Sequence, residues 1–243
     1  MANETVKSAL TDLRLHGMLQ AYNVQISSRA FDEFSRDEII EHLALGELQY
    51  RSDRAQIRLR KAANLKHKMA EREDIIFAPD RGIEKKIIAE LLSPDWLRRT
   101  ENLLVTGATG VGKSWLCCAI ANSLIRQKVP VRYYRTNELL REMKLAQQTA
   151  SLAKLKKQLV QPELLILDDF GIAEIDENSA ELLLDLLDAR IDYGSTMVIG
   201  QRAVEQWHDY IGSAHMADAI IDRLLQRAHR LHLKGPSLRK RLA

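Results

Sequence analysis

Eight consecutive residues, Gly107-Ala108-Thr109-Gly110-Val111-Gly112-Lys113-Ser114, match the pattern G-x-x-x-x-G-K-[ST] at every fixed position. Glycines at those places let the backbone curl until successive N–H groups face one concavity, a shape suited to a polyphosphate. Lys113 is placed to reach the β- and γ-phosphates, and the Ser114 hydroxyl to ligate Mg²⁺. The pattern therefore points to ATP and Mg²⁺ as cofactors. A second cluster follows the apolar run Leu164-Leu165-Ile166-Leu167 as Asp168-Asp169. A strand buried in a parallel sheet delivers its last residues to the ligand edge, where an acid can hold Mg²⁺ beside the phosphates. Asp168 takes that role, and Asp169 falls where a carboxylate can orient an attacking water.

Three further residues carry weaker signals. Gln201 ends another apolar run, Met197-Val198-Ile199, and a polar side chain there can sense a γ-phosphate by a hydrogen bond. Arg223, in Ile220-Ile221-Asp222-Arg223-Leu224, has the chemistry to stabilise charge on a transferring phosphoryl group of a neighbouring subunit, or is an ordinary surface arginine. Arg239 is a further candidate for a phosphate contact. Histidines offer less. His229 and His232 lie three apart on an expected strand and face opposite sides, which does not make a metal pair. Cys117 and Cys118 are neighbours on one helix, cannot easily bridge, and read as small buried residues of a reducing compartment.

The elements that must position these groups are legible as alternating runs. Strands are expected at 102–106, 129–134, 163–167, 195–199 and 229–233. Helices are expected at 115–125, 138–147, 152–160, 180–191 and 217–228, the fourth stopped by Gly194. Such alternation predicts an α/β fold with a five-stranded parallel sheet covered by helices on both faces. Ahead of it, residues 4–27 read as helical, with Gly17 as a break or a close helix contact. Ser35-Arg36-Asp37-Glu38 is a capping box that starts a long helix. The pattern changes at 74–82, where Pro79 interrupts an apolar run. The expected division is a helical DNA- or partner-binding module over 1–75 and an ATPase domain over 76–243.

Composition sets the outer limits. The 243 residues are 46% hydrophobic, ample for one packed core and a small appendage, and only 5% aromatic, which disfavours recognition by stacked bases. The net charge of +3 is unevenly spread. Arg51, Arg54, Arg58, Arg60, Lys61, Lys66, Lys68 and Arg72 crowd one segment, no acid follows Asp222, and acids gather from Glu163 to Asp192. Basic faces of this kind suit a polyanion, or are solvated helix faces. No apolar run approaches the ~20 residues that span a bilayer, and the N-terminus lacks a signal-peptide pattern, so a cytoplasmic protein with no membrane partner is expected.

With these residues in place, the chain resembles the IstB family of transposition helper ATPases, relatives of the DnaC-type helicase loaders in the AAA+ superfamily. The likeness rests on several blocks in order. They are Leu13-Arg14-Leu15-His16-Gly17-Met18, Glu47-Leu48-Gln49-Tyr50-Arg51, the phosphate loop, Asp168-Asp169-Phe170-Gly171, Val204-Glu205-Gln206-Trp207-His208, 217–224, and Gly235-Pro236-Ser237-Leu238-Arg239-Lys240. The resemblance implies an AAA+ core without a separate lid domain, Asp169 in the place of the usual glutamate, Arg223 as an arginine finger acting in trans, and Gln201 as the first sensor. Ile199-Gly200-Gln201-Arg202 departs from the Thr-Ser-Gln expected there. The resemblance also implies Lys144, Lys154, Lys156 and Lys157 in an additional helical segment near DNA, alongside Arg54, Arg58 and Lys61 of the basic helix.

The expected function is that of an Mg²⁺-dependent ATPase with slow, partner-stimulated hydrolysis. It would form a homo-oligomer with ATP between subunits, hold duplex DNA largely without sequence preference, remodel it, and cooperate with a transposase. A DnaC-like helicase loader shares the ATPase core and is the alternative. A small-molecule P-loop kinase is an alternative of another class, but it needs an acceptor pocket and an arginine-rich lid.

Overall fold

The structure is a computed structural model, and it describes residues 2–28 and 34–238. The chain divides into two compact units, residues 1–58 and 59–243.

In the smaller unit, helix α1 (Ala2–Asp12) is followed by α2 (His16–Ser28) and by most of α3 (Arg36–Ala63). The helical stretch expected over 4–27 is two helices, broken at Arg14. Arg14 adopts a left-handed φ of 58°, while its N–H donates to Thr11 O and that of Leu15 to Leu10 O. These two bonds close the end of α1 in a Schellman arrangement. Gly17 instead marks a close approach of helices. A Cβ there would stand 2.5 Å from Gly46 O and 2.6 Å from Tyr50 Cβ, so only hydrogen fits. Glu47 completes the junction: its Oε2 accepts from Gly17 N at 2.7 Å and Met18 N at 3.1 Å, satisfying N–H groups of the first turn of α2 that have no partner within the helix. The capping box forms as expected, with Ser35 N donating to Glu38 Oε2 at 2.7 Å and Glu38 N to Ser35 Oγ at 3.3 Å.

In the larger unit, five strands form one parallel sheet: β1 (Asn102–Gly107), β2 (Val131–Arg135), β3 (Leu164–Phe170), β4 (Ser195–Gly200) and β5 (Ala228–Leu233). Their spatial order is β2-β3-β4-β1-β5. The connections carry α6 (Lys113–Arg126), α7 (Thr136–Gln148), α8 (Leu152–Val160), α9 (Glu177–Asp188) and α10 (Ala214–Leu225). Two apolar cores lie on opposite faces. Leu103, Val105, Ile166, Met197 and Ile199 pack with α6, whereas Leu104, Leu165, Leu167 and Val198 pack with α7, α9 and α10. The strict alternation within β1, β3 and β4 is the period-two signature of a sheet covered on both sides.

The short helices α4 (Lys85–Leu91) and α5 (Asp95–Arg98) precede β1. Observed ends differ from the expected ones by a few residues. The main shifts are α9, which starts at Glu177 because Asp176 caps it by accepting from Ser179 N, and α10, which ends at Leu225 so that β5 can begin at Ala228. Residues 59–75, expected with the helical module, pack in the larger unit. Ala63, Leu65, Ala70 and Ile75 are buried in the same core as α6, and Asn122 Nδ2 donates to Ala70 O at 2.8 Å. Among the described residues, no helical subdomain follows β5, and no helix is long and apolar enough to cross a membrane.

Candidate nucleotide site

The phosphate loop leaves the carboxyl end of β1, in the centre of the sheet, and runs into α6. Three glycines take backbone angles that other residues resist: φ is 141° at Gly107, 86° at Gly110 and 94° at Gly112. Close approach adds a second requirement. A Cβ on Gly107 would meet Leu233 O at 2.2 Å, and one on Gly110 would meet Ser237 Oγ at the same distance. The segment after β5 thus closes over the loop, and Leu238 N donates to Gly110 O at 2.9 Å. Ala108 and Thr109 are exposed, and Val111 is buried. Lys113 is buried, and its Nζ donates to Gly107 O at 2.7 Å and Ala108 O at 2.9 Å, so the loop is internally bonded around its own lysine.

Asp168 ends up beside this loop because β3 and β1 are both delivered to the carboxyl edge of the sheet. It is 1% exposed. Oδ2 accepts from Tyr133 Oη at 2.5 Å and from Lys66 Nζ at 3.3 Å, and Oδ1 accepts from Asp169 N at 2.8 Å. Thr136 Oγ1 donates to the Asp168 carbonyl at 2.9 Å. Burial, then the hydrogen bond and charge of Asp168, push the Tyr133 phenol well above its ordinary value, so it is a permanent donor here. Asp169 has a left-handed φ of 60°, and the register between β3 and β4 shifts at this point. A bulge of that kind re-aims a side chain. The Asp169 carboxylate emerges partly exposed, 3.9 Å from both Lys66 Nζ and Arg135 Nε.

Thr109, Gly110, Gly112, Lys113, Ser114, Asp168 and Asp169 line one cavity of about 430 Å³ with Lys66, His67, Asp74, Ile76, Arg81, Trp115, Gly200, Gln201 and Leu238. Gln201 belongs to it, and its Oε1 accepts from Thr109 Oγ1 at 2.8 Å, tying the end of β4 to the phosphate loop. The Ile199-Gly200 departure has a packing reason. Trp207 ring atoms lie 3.2–3.4 Å from where a Cβ on Gly200 would stand, so a serine there would press on the indole. Ser114 and Asp168 offer hard oxygen donors suited to Mg²⁺, and the Lys66 ammonium shows that the Asp168 carboxylate already takes a cation.

Arg223 is not part of this cavity. It lines a separate one of about 80 Å³ with Asn102 and Thr196, at the opposite, amino-terminal edge of the sheet, and its Nε donates to Asp188 Oδ1 at 2.9 Å. Arg239 lies outside the described residues. In the smaller unit, Arg54 and Arg58 are exposed on α3. In the larger unit, Lys61, Lys154 and Lys157 are exposed, whereas Lys144 is paired with Asp176 and Lys156 with Asp185 at 2.6 Å. His229 does not pair with His232; its Nε2 meets Glu101 Oε2 at 2.8 Å, near Glu90, and Arg99 bonds both of those carboxylates.

Sequence reasoning missed Lys66, Tyr133, Thr136 and Arg81. The register that sets Tyr133 opposite Ile166 and Arg135 opposite Asp168 was not readable from local pattern. Arg81 is buried, and its guanidinium bridges Ile76 O at 3.0 Å and Val111 O at 2.8 Å, bracing the loop from behind. Lys66 was only one of a run of basic residues.

Comparison with known proteins places this geometry. The family described as IstB-like ATP binding protein matches residues 8–243. The putative insertion sequence ATP-binding protein y4uH of Sinorhizobium fredii (strain NBRC 101917 / NGR234) is 38% identical over 241 residues, covering 99% of this chain and 96% of that protein. The y4pL protein of the same strain, similarly described, is 36% identical over 231 residues, covering 95% and 94%. Among solved structures, that of DnaI superposes with a TM-score of 0.60 at 20% identity, covering 68% of this chain and 92% of that one, a likeness of fold.

Proposed function

The chain belongs to the family of IstB-like ATP binding proteins, and from that premise we propose that it is an Mg²⁺-dependent ATPase that assists transposition of an insertion sequence. The observation that carries this is the convergence of Lys113, Ser114, Asp168, Asp169 and Gln201 on one cavity.

In that cavity Lys113 exchanges its two loop carbonyls for β- and γ-phosphate oxygens, and the α6 N-terminus adds partial positive charge. Ser114 and Asp168 hold Mg²⁺, which neutralises phosphate charge when bound. Asp169, turned out by the bulge, orients a water, and Gln201 reports the γ-phosphate to the loop through Thr109. Arg223, at the far edge of the sheet, serves the site of a neighbouring subunit, so that ATP favours a homo-oligomer. The exposed Arg54, Arg58, Lys61, Lys154 and Lys157 hold the duplex DNA backbone without reading sequence, with Lys144 and Lys156 joining once their aspartates release them. DNA remodelling, slow hydrolysis stimulated by partners, and cooperation with a transposase complete the proposal. Residues 1–58 are the module for DNA or partner contact.

The test is ATP binding and hydrolysis by the wild-type protein beside Lys113→Ala and Asp169→Asn. Lys113→Ala is expected to lose nucleotide binding. Asp169→Asn is expected to bind ATP and lose hydrolysis by about 10²-fold or more. Normal ATP binding by Lys113→Ala would refute the assignment.

A further inference from the structure

The cation on Asp168 comes from an unexpected place. Lys66 lies just beyond the end of α3, in the connector that leads to the ATPase core. Its ammonium stands 3.3 Å from Asp168 Oδ2 and 3.9 Å from Asp169 Oδ2, within the cavity that contains Ser114. Asp168 itself is buried, whereas the Lys66 side chain is 27% exposed, so its flexible stem has a path to solvent. The backbone has no such freedom. Asn122 Nδ2, on α6, donates to Lys68 O at 3.3 Å and Ala70 O at 2.8 Å, and Leu65 and Ala70 are buried on either side of Lys66. Motion here belongs to the lysine side chain rather than to the connector.

We infer that Lys66 sets the metal affinity of the nucleotide site: its ammonium holds the cation position on Asp168, and a divalent metal arriving with the nucleotide must displace it. This rests on the ATP·Mg²⁺ reading of the site. The physical reason is simple. A buried carboxylate needs a compensating cation, and a lysine and a divalent ion on the same oxygen repel strongly at low dielectric. Lys66 therefore keeps Asp168 compensated in the empty site, at the expense of weaker metal binding. Lys113 does the same for the phosphate pocket by bonding Gly107 O and Ala108 O.

The experiment uses the full chain and ADP, titrated with and without Mg²⁺, for wild type, Lys66→Met and Lys66→Arg. Methionine keeps the stem and removes the charge. The ratio of ADP affinity in Mg²⁺ to that in EDTA is expected to rise about fivefold in Lys66→Met, the worth of a partly exposed ion pair of ~1 kcal/mol. The ratio, rather than affinity in EDTA alone, is the readout, because losing a cation from the cavity lowers ADP affinity in both conditions alike. Lys66→Arg should keep the wild-type ratio. In wild type, amine labelling read by mass spectrometry should be slow at Lys66 in the free protein and with ADP in EDTA, and faster with MgADP. A ratio that is unchanged or lower in Lys66→Met, or labelling of Lys66 that ignores MgADP, would overturn the inference while leaving nucleotide binding intact. No ADP binding by wild type in either condition would overturn both this inference and the nucleotide reading.

Discussion

Replacing Gly110 by alanine tests how the segment after β5 holds the phosphate loop. Two costs follow from the geometry. Gly110 has φ of 86°, and a left-handed angle costs an L-residue roughly 1–2 kcal/mol. The added Cβ would also stand 2.2 Å from Ser237 Oγ and 2.9 Å from Ser237 Cβ. Rotating the hydroxyl away relieves the first contact but not the second, so the segment must shift, at about 1–3 kcal/mol for an overpacked contact. Gly110→Ala should therefore destabilise the loop by about 2–5 kcal/mol in total. In a Ser237→Gly background the nearest remaining contact is Ser237 Cα at 3.4 Å, an ordinary separation. There the same substitution should cost only the backbone strain, about 1–2 kcal/mol. ADP affinity measured by calorimetry for wild type, both single variants and the double variant gives the coupling, expected at about 1–3 kcal/mol in favour of the double variant. Equal losses in the two backgrounds would show that Ser237 does not pack on Gly110, and would refute the latch.

Arg223→Ala should leave ADP affinity of the isolated subunit unchanged while weakening assembly driven by a non-hydrolysable ATP analogue, as read by sizing; lost ADP affinity would place the arginine in its own subunit's site. Tyr133→Phe removes one hydrogen bond to the buried Asp168 carboxylate and should lower the urea stability of the chain by about 1–2 kcal/mol, since Lys66 and Asp169 N remain as partners. Acid should loosen the α2–α3 junction. Burial pushes the Glu47 carboxyl upward, but hydrogen bonds from Arg51, Met18 and Gly17 outweigh it and hold the group below its ordinary value. A depressed carboxyl contributes stability above its unfolded pKa and loses it as pH falls through the folded one. Hydrogen exchange at Gly17 and Met18 should therefore gain protection from Glu47 at neutral pH and lose it in acid, and Glu47→Gln should erase that difference; an identical pH profile in the variant would contradict the role.

Much of the site was legible because its chemistry is local. The phosphate loop, Asp168-Asp169 and Gln201 each sit at the end of an apolar strand, and a parallel sheet brings strand ends to one edge whatever the order of the strands. The capping box at Ser35 is local in the same sense. What escaped depends on contacts distant in sequence. Lys66 reaches Asp168 across 102 residues, and Tyr133 across 35. Neither has a spacing signature. The break at Arg14 was hidden because a Schellman end was built without glycine, while of the two readings open at Gly17 the close helix contact is the one the structure shows. The boundary expected near residue 75 differed from the compact units because Ala63, Leu65 and Ala70 pack on α6, a face that local pattern does not reveal. The 3-10 helix Val204–Tyr210 escaped too, yet its Trp207 explains why residue 200 is glycine.

In the function we propose, ATP favours the oligomer that holds duplex DNA, so nucleotide state controls the grip on DNA. The direct measurement is duplex binding by gel shift and sizing in three conditions: no nucleotide, ADP, and a non-hydrolysable ATP analogue with Mg²⁺. Large, salt-sensitive complexes on duplexes of unrelated sequence, formed only with the analogue and lost in Lys113→Ala, are the expected result. A monomer that binds no DNA in any nucleotide state would contradict it.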